Sequence, residues 1–294
     1  MILLIIAVGY IITKIGMFSA KARADLTNIV IYVVLPCNIF ISFVGDISPE
    51  ILRQSGIVLI ISFAMQALYI ILNKVIYIRF KPERRVVVQY ATISNNAGFM
   101  GLPVIEAVFG PIGLIYGSVM IIPMRIFMWT SGLSLFTTTE TRQKLKTLAT
   151  HPCMWAVVVG FAYMFAPITL PAFLHNTIAA IGGTTTVLSM LVVGSLLSGF
   201  TIKDALDKDC AYYSFFRLIA IPAVGFIVLY LIGIDPLVIG VAVLSAAMPA
   251  AVATAMLAEK YGQDSKFASK TVFVSTMLSI VTLPVIAAVM AWLM

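Results

Sequence analysis

Asn95 and Asn96 stand side by side in the stretch SNNAGFMGLPVIEAVFG, from Ser94 to Gly110, with Gly98, Gly101 and Pro103 close behind. Paired amides beside a glycine–proline turn put polar groups where a membrane helix should be continuous, the mark of a helix broken to build a site. A second interruption is written at Met248–Pro249 in SAAMPAAVATAMLAEKYG, flanked by Ser245 and Thr254. Arg125, in IIPMRIFMWTSG, adds a planar, permanently charged fork suited to bidentate binding of a carboxylate. Donors and cations of this kind recognise an anion; they do not make or break bonds. The sequence has no HExxH, no G-x-S-x-G, no CxxC pair and no paired mid-span acids. It is therefore read as a non-enzyme, with no metal site and no cofactor.

These side chains need elements to position them, and composition says which. The chain is 61% hydrophobic and 11% charged, with a mean hydropathy of +1.07. That excludes a soluble globular domain and indicates a polytopic all-α membrane protein in contact with lipid. Apolar stretches fall at about 1–18, 27–45, 51–73, 86–110, 111–137, 152–168, 173–199, 211–232, 236–258 and 268–293. Each suits a helix crossing a hydrocarbon core of ~30 Å, so ten spans are expected. MILLIIAVGYIITK reads as the first span, not a signal peptide. Cys37, Cys153 and Cys210 are far apart and read as free thiols.

The net charge of +7 does not mark a nucleic-acid partner, because the basic residues follow the spans. With the N-terminus outside, 17 of the 19 Lys and Arg fall on the cytoplasmic side, Lys203, Lys208 and Arg217 among them. Arg53 lies opposite and Arg125 falls inside a span. The positive-inside rule then places both termini outside.

Ten spans divide into 1–137 and 152–294, joined by a short cytoplasmic connection at 138–151. A five-span unit repeated in tandem must insert upside down the second time. The two interrupted stretches match in position at an offset of about 152 residues, the pattern of an inverted repeat with one broken helix per half. Pro103 and Pro249 each remove an amide donor, and Gly98 and Gly101 ease the departure from helical geometry. Groups freed in hydrocarbon cost several kcal/mol each unless satisfied, so the breaks must be buried in protein or line a wet cavity. Spans 4 and 9 are expected to cross head to tail, each presenting an electropositive helix start that favours an anion.

Arg125 has two readings. A charge at bilayer depth costs at least ~2.5 kcal/mol, so it needs a partner: either backbone carbonyls freed by the breaks, or a carboxylate of the substrate. All twelve acidic residues lie in connections or near span ends, with Glu106 the deepest. That argues against a carboxylate-based sodium–proton antiporter and against a cationic substrate. Asn38, in span 2, and Thr254, after the second break, are weaker candidates; either can instead bond between or within helices.

Asn96–Pro103, with Ala247-Met248-Pro249, AEKYG at Ala258–Gly262 and YVVLPCNIF at Tyr32–Phe40, resembles the auxin efflux carrier family. That family includes plant PIN auxin carriers and bacterial malate or malonate permeases, within the bile-acid, arsenite and riboflavin transporter superfamily. The resemblance implies ten helices as two inverted five-helix repeats with broken crossover helices 4 and 9. It implies a scaffold of spans 1, 2, 6 and 7, with spans 3–5 and 8–10 moving. It also implies that the asparagine matching Asn96 contacts the substrate carboxylate, that Asn38 faces the crossover, and that the membrane is the bacterial inner membrane. A homodimer is left open. The expected site comprises Ser94, Asn95, Asn96, Gly98, Pro103, Arg125, Met248, Pro249, Thr254 and Asn38. The function expected is a permease for a small organic anion such as malate, malonate or an auxin-like carboxylate. The alternative is an anion channel or a non-transporting sensor on the same fold.

Overall fold

The structure, a computed structural model, describes residues 2–44, 48–136, 152–165, 170–199 and 207–293. The connection at 138–151, with Arg142, Lys144, Lys146 and His151, lies outside the described residues, as does Lys203. The described residues are helical, and the single extended pairing among them is an isolated antiparallel bridge between Asn95 and Ala250.

Helix starts follow local chemistry. Asp207 accepts from Asp209 N and Cys210 N, Asp235 accepts from Leu237 N and Val238 N, and Asp264 accepts from Phe267 N. Each carboxylate satisfies first-turn donors that have no intrahelical acceptor. The α-helices are α1 (Ile2–Lys14), α2 (Ala20–Ile29), α3 (Leu35–Ser42), α4 (Pro49–Ile76), α5 (Pro82–Ile93) and α6 (Leu102–Phe127). There follow α7 (Pro152–Phe165), α8 (Ala172–Gly183), α9 (Thr185–Leu197) and α10 (Lys208–Phe215). The last four are α11 (Ile221–Ile232), α12 (Pro236–Ala246), α13 (Ala253–Lys260) and α14 (Ser265–Leu293).

Wide π turns join several of these, and their placement has a cause. The turns Val30–Val34, Ala97–Gly101 and Phe216–Ala220 each end two residues before a proline, at Pro36, Pro103 and Pro222. A proline ring clashes with the carbonyl four residues back and offers no N–H, so widening the preceding turn relieves both problems.

Six described stretches are long and apolar enough to cross a membrane: Ala20–Ile41, Pro49–Ile76, Ala97–Leu135, Ala172–Ser195, Lys208–Ile232 and Ser265–Leu293. Leu4–Lys14 and Pro236–Ala246 are shorter apolar helices. Ala97–Leu135 is not one rod. Gly110 has φ 67° and ψ −162°, and a Cβ on Gly117 would lie 3.0 Å from Leu102 Cδ2. Fifteen residues of straight helix would separate those two by about 22 Å, so the chain doubles back at Gly110. The sequence boundary between the fourth and fifth apolar stretches falls at that glycine.

Packing divides the helices into two groups. In one, α1 lies along α9, and α3 packs on α7 and α8. The α1–α9 approach is close enough that a Cβ on Gly9 would meet Leu191 O and one on Gly194 would meet Ile6 O. Small residues let membrane helices approach this way. In the other group α4 packs on α6, α12 on α6 and α11, and α14 on α10 and α13. The groups meet where α3, α7 and α9 touch α6 and where α9 touches the turn Ala97–Gly101. On the second group's face, Arg84 bonds Asp209 Oδ2 (2.9 Å) and Asp264 Oδ2 (3.1 Å) and pairs with Asp207 at 3.6 Å. One guanidinium thus gathers the starts of α5, α10 and α14.

Candidate functional site

The two interruptions meet and complete each other. After α5 the chain runs extended through Ser94 (φ −111°, ψ 94°), and after α12 it runs through Ala247, Met248 and Pro249. Asn96 N donates to Pro249 O (2.8 Å), and Ala251 N donates to Ser94 O (3.3 Å). Ala250 N donates to Ser275 Oγ on α14 (3.2 Å). Asn95 ties the crossing together with its side chain: Nδ2 donates to Ser245 O (2.5 Å) and Oδ1 accepts from Ala97 N (3.2 Å). Four freed amides are therefore consumed inside the crossing, more than the sequence reading of two open helix starts supposed. The reason is the same low-dielectric penalty that demanded burial in the first place.

What stays open is narrower and lies on one side. Met100 N and Gly101 N both turn back to Asn96 O, so Gly98 and Phe99 occupy first-turn positions whose N–H groups lack an intrahelical acceptor. Gly98 is bare on the side facing Arg125, where a Cβ would sit 2.9 Å from Nη2. Arg125 Nε is buried without a hydrogen-bond partner among the described residues. Gly98 and Arg125 share a cleft with Leu35 and Ile39 of α3, Leu102, Ser118 and Ile121 of α6, and Cys153, Met154 and Val157 of α7. The cleft therefore lies on the seam between the two helix groups. Its free space holds about one water, so a ligand must part the seam to enter.

A second cleft lies within the second group, lined by Asn95, Gln66, Tyr69, Ser62, Ser245 and neighbouring apolar residues. The expected site residues thus divide. Gly98 and Arg125 come together on the seam, and Asn95 faces the other cleft. Asn96 and Pro249 hold the crossing through their backbones. Pro103 is buried in the first turn of α6, and Met248 Cγ lies 3.1 Å from where a Cβ of Gly101 would be. Ser94 and Thr254 are both buried; the Ser94 side chain lies against that of Tyr90, and the Thr254 hydroxyl finds no partner among the described residues. Asn38 Nδ2 donates to Glu106 Oε2 (3.1 Å), so Asn38, between the cleft residues Leu35 and Ile39, bridges α3 to α6 one turn past Leu102.

Arg217 is the residue that reading by connections misplaces. It belongs to the π turn Phe216–Ala220, not to a loop, and is 0% exposed. Its Nε donates to Met248 O (3.2 Å) and its Nη1 to Thr92 O (3.1 Å), with its guanidinium 5.0 Å from the Tyr69 ring centroid. A buried arginine bonded to carbonyls freed by the breaks was one of the two readings of Arg125; Arg217 has that arrangement. A signal was present in the sequence. Arg217 lies eight residues past Asp209, with no further charge before Asp235, and eight helical residues reach about 12 Å into the membrane. Among the described residues no carboxylate forms an ion pair with either Arg125 or Arg217; the ion pairs found join Arg53 to Glu50 and Arg84 to its three aspartates.

An apolar chain, helical throughout its described residues, whose two interrupted helices meet beside the buried Arg217 and the half-buried Arg125, neither paired with a carboxylate there, has the build of a membrane transport protein. The sequence matches the membrane transport protein family over residues 1–287, and the chain belongs to that family, that of the auxin efflux carriers. It is thus an integral membrane protein. It is 25% identical over 292 residues to an uncharacterized transporter of Methanocaldococcus jannaschii, covering 96% of this chain and 94% of the relative. It is 27% identical over 302 residues to an uncharacterized transporter of Methanothermobacter thermautotrophicus, with 96% and 94% covered. A Rhizobium meliloti protein described as "Putative malonate transporter" is 22% identical over 300 residues, with 95% and 90% covered.

Proposed function

We propose that the chain is a secondary transporter that moves a small organic anion by alternating access. Arg125 carries the reading. A guanidinium with an unpartnered Nε, set against the bare backbone of Gly98 on a seam between two helix groups, is complementary to a carboxylate. The substrate carboxylate would lie between Arg125 and the first-turn amides of Gly98 and Phe99, with the Asn96 side chain beside it. Malonate and malate are the first candidates, in keeping with the name of the Rhizobium relative; an auxin-like carboxylate is the next.

In this reading ten spans form inverted repeats at 1–137 and 152–294. Spans 1, 2, 6 and 7 stand still while the others carry the crossing past them. The two packing groups and the reversal at Gly110 support it. Both termini lie outside in the same reading; taking Arg217 out of the cytoplasmic connections leaves their excess of basic residues intact. The membrane is the cytoplasmic membrane of a prokaryote, as two archaeal relatives and one bacterial relative suggest.

Counterflow in proteoliposomes tests the proposal. Saturable exchange of labelled malonate or malate, abolished by Arg125→Ala, is the expected result. Anion flux that neither saturates nor exchanges would mean a channel, and no flux with any mono- or dicarboxylate would mean a sensor.

A further inference from the structure

Four half-helices meet at the crossing, and their ends are not alike. α5 and α12 arrive with their C-termini, whose unpaired carbonyls carry roughly half a negative charge each. The chain leaves through the starts of the Ala97–Gly101 turn and of α13, which carry the opposite sign. Thr92 O belongs to the last turn of α5, and Met248 O follows the end of α12. Both are held by the one buried guanidinium of Arg217. The two electronegative ends together amount to about one charge, the charge that a single guanidinium supplies. Arg125 stands elsewhere, against Gly98 at the electropositive start of the other half. The crossing is thus sorted by sign, with an arginine on each side and only one of them matched by carbonyls.

We infer that Arg217 is the positioning residue of the anion site: a tethered counter-ion for two helix C-termini. It holds them against their mutual repulsion and so fixes the bridge that presents Gly98 to Arg125. Arg217 is 0% exposed and is tethered through Nε to Met248 O and through Nη1 to Thr92 O beside the face of Tyr69, leaving only Nη2 without a partner among the described residues, so its part is assigned to the crossing and not to the substrate. A lysine, a point charge, can approach only part of what the planar fork spans. A glutamine keeps donors but loses the charge. The inference rests on the proposed anion site for its functional consequence, but not for its structural one.

The test therefore has two readouts, on purified full-length protein carrying Arg217→Ala, Arg217→Gln or Arg217→Lys. The first is hydrogen exchange at the amides of Asn96 and Ala251, which bond across the crossing. In Arg217→Ala it is expected to quicken at least tenfold, and to slow again with methylguanidinium but not with the same concentration of choline. The second is malonate affinity, expected to weaken about tenfold in Arg217→Ala and to recover with methylguanidinium alone. Should the alanine variant fail to fold, Arg217→Lys is expected to lie closer to wild type than Arg217→Gln in both readouts. Unchanged exchange at the crossing, equal rescue by choline, or a glutamine variant as good as lysine would each overturn the inference. Wild-type protein that binds no malonate would count against malonate as the ligand, while the exchange readout would still decide the role of Arg217.

Discussion

Gly98 is the residue at which the anion site is most easily tested without removing a charge. A methyl group there would sit 2.9 Å from Arg125 Nη2, and the far end of an arginine can yield. Gly98→Ala is therefore expected to leave the melting temperature within about 2 °C of wild type, while anion uptake falls at least tenfold because the guanidinium is pushed from the first-turn amides of Gly98 and Phe99. Arg125→Lys is expected to lose a similar factor in affinity, since an ammonium cannot form two parallel bonds with a carboxylate. Isothermal titration against uptake would separate weaker binding from slower movement. The sequence announced Arg125 by its depth, and it announced the amides by their neighbours. It marked Arg217 only by distance, because grouping it with Lys208 at a helix start hides a position two turns deeper than Lys208 and Asp209. Nor could it show that Asn95 spends both side-chain atoms on the crossing, because its partner Ser245 is 150 residues away.

Among the elements, α3 and α6 share the contact that must open if the seam parts. Asn38 and Glu106 join them at the edge of the cleft, and the backbone of Asn38 is packed so tightly that a Cβ on Gly182 would lie 2.9 Å from it. A hydrogen bond to a charged acceptor contributes about 1.5–3 kcal/mol when well enclosed. A double-mutant cycle of Asn38→Leu and Glu106→Leu, followed by thermal unfolding, is expected to give a coupling energy near the lower end of that range, because Glu106 is only part-buried. Glu106→Gln should keep about half of that energy, since its amide oxygen still accepts but carries no charge. If the seam opens during transport, Glu106→Leu is expected to change turnover more than affinity. The helices themselves were legible from apolar runs and from the Gly/Pro breaks. Their π turns were not, because a widened turn has the same hydrophobic pattern as an ordinary one.

On the scale of the whole molecule, two glycine-mediated contacts and one ion cluster hold the two groups as bodies. Gly194→Ala would press a methyl group into the backbone of α1, where nothing flexible can give way, so a loss of several kcal/mol and a fall in folded yield are expected. Arg84→Gln should cost far less, about 1 kcal/mol, because its side chain is 32% exposed and its partners are reached by water. Size-exclusion yield and melting temperature in detergent would rank the two. The reverse order would mean that the ion cluster, and not close helix approach, sets the stability of the fold.

The bridge between Ser94–Asn96 and Pro249–Ala251 also governs how the protein can be made. The first break leaves the ribosome long before the segment that completes it, so a nascent chain carries open amides and carbonyls at membrane depth until the second half arrives. A fragment of residues 1–137 made alone should therefore be cleared by membrane proteases, and co-synthesis of 152–294 as a separate polypeptide should rescue it. Rescue of this kind would make each half the assembly chaperone of the other.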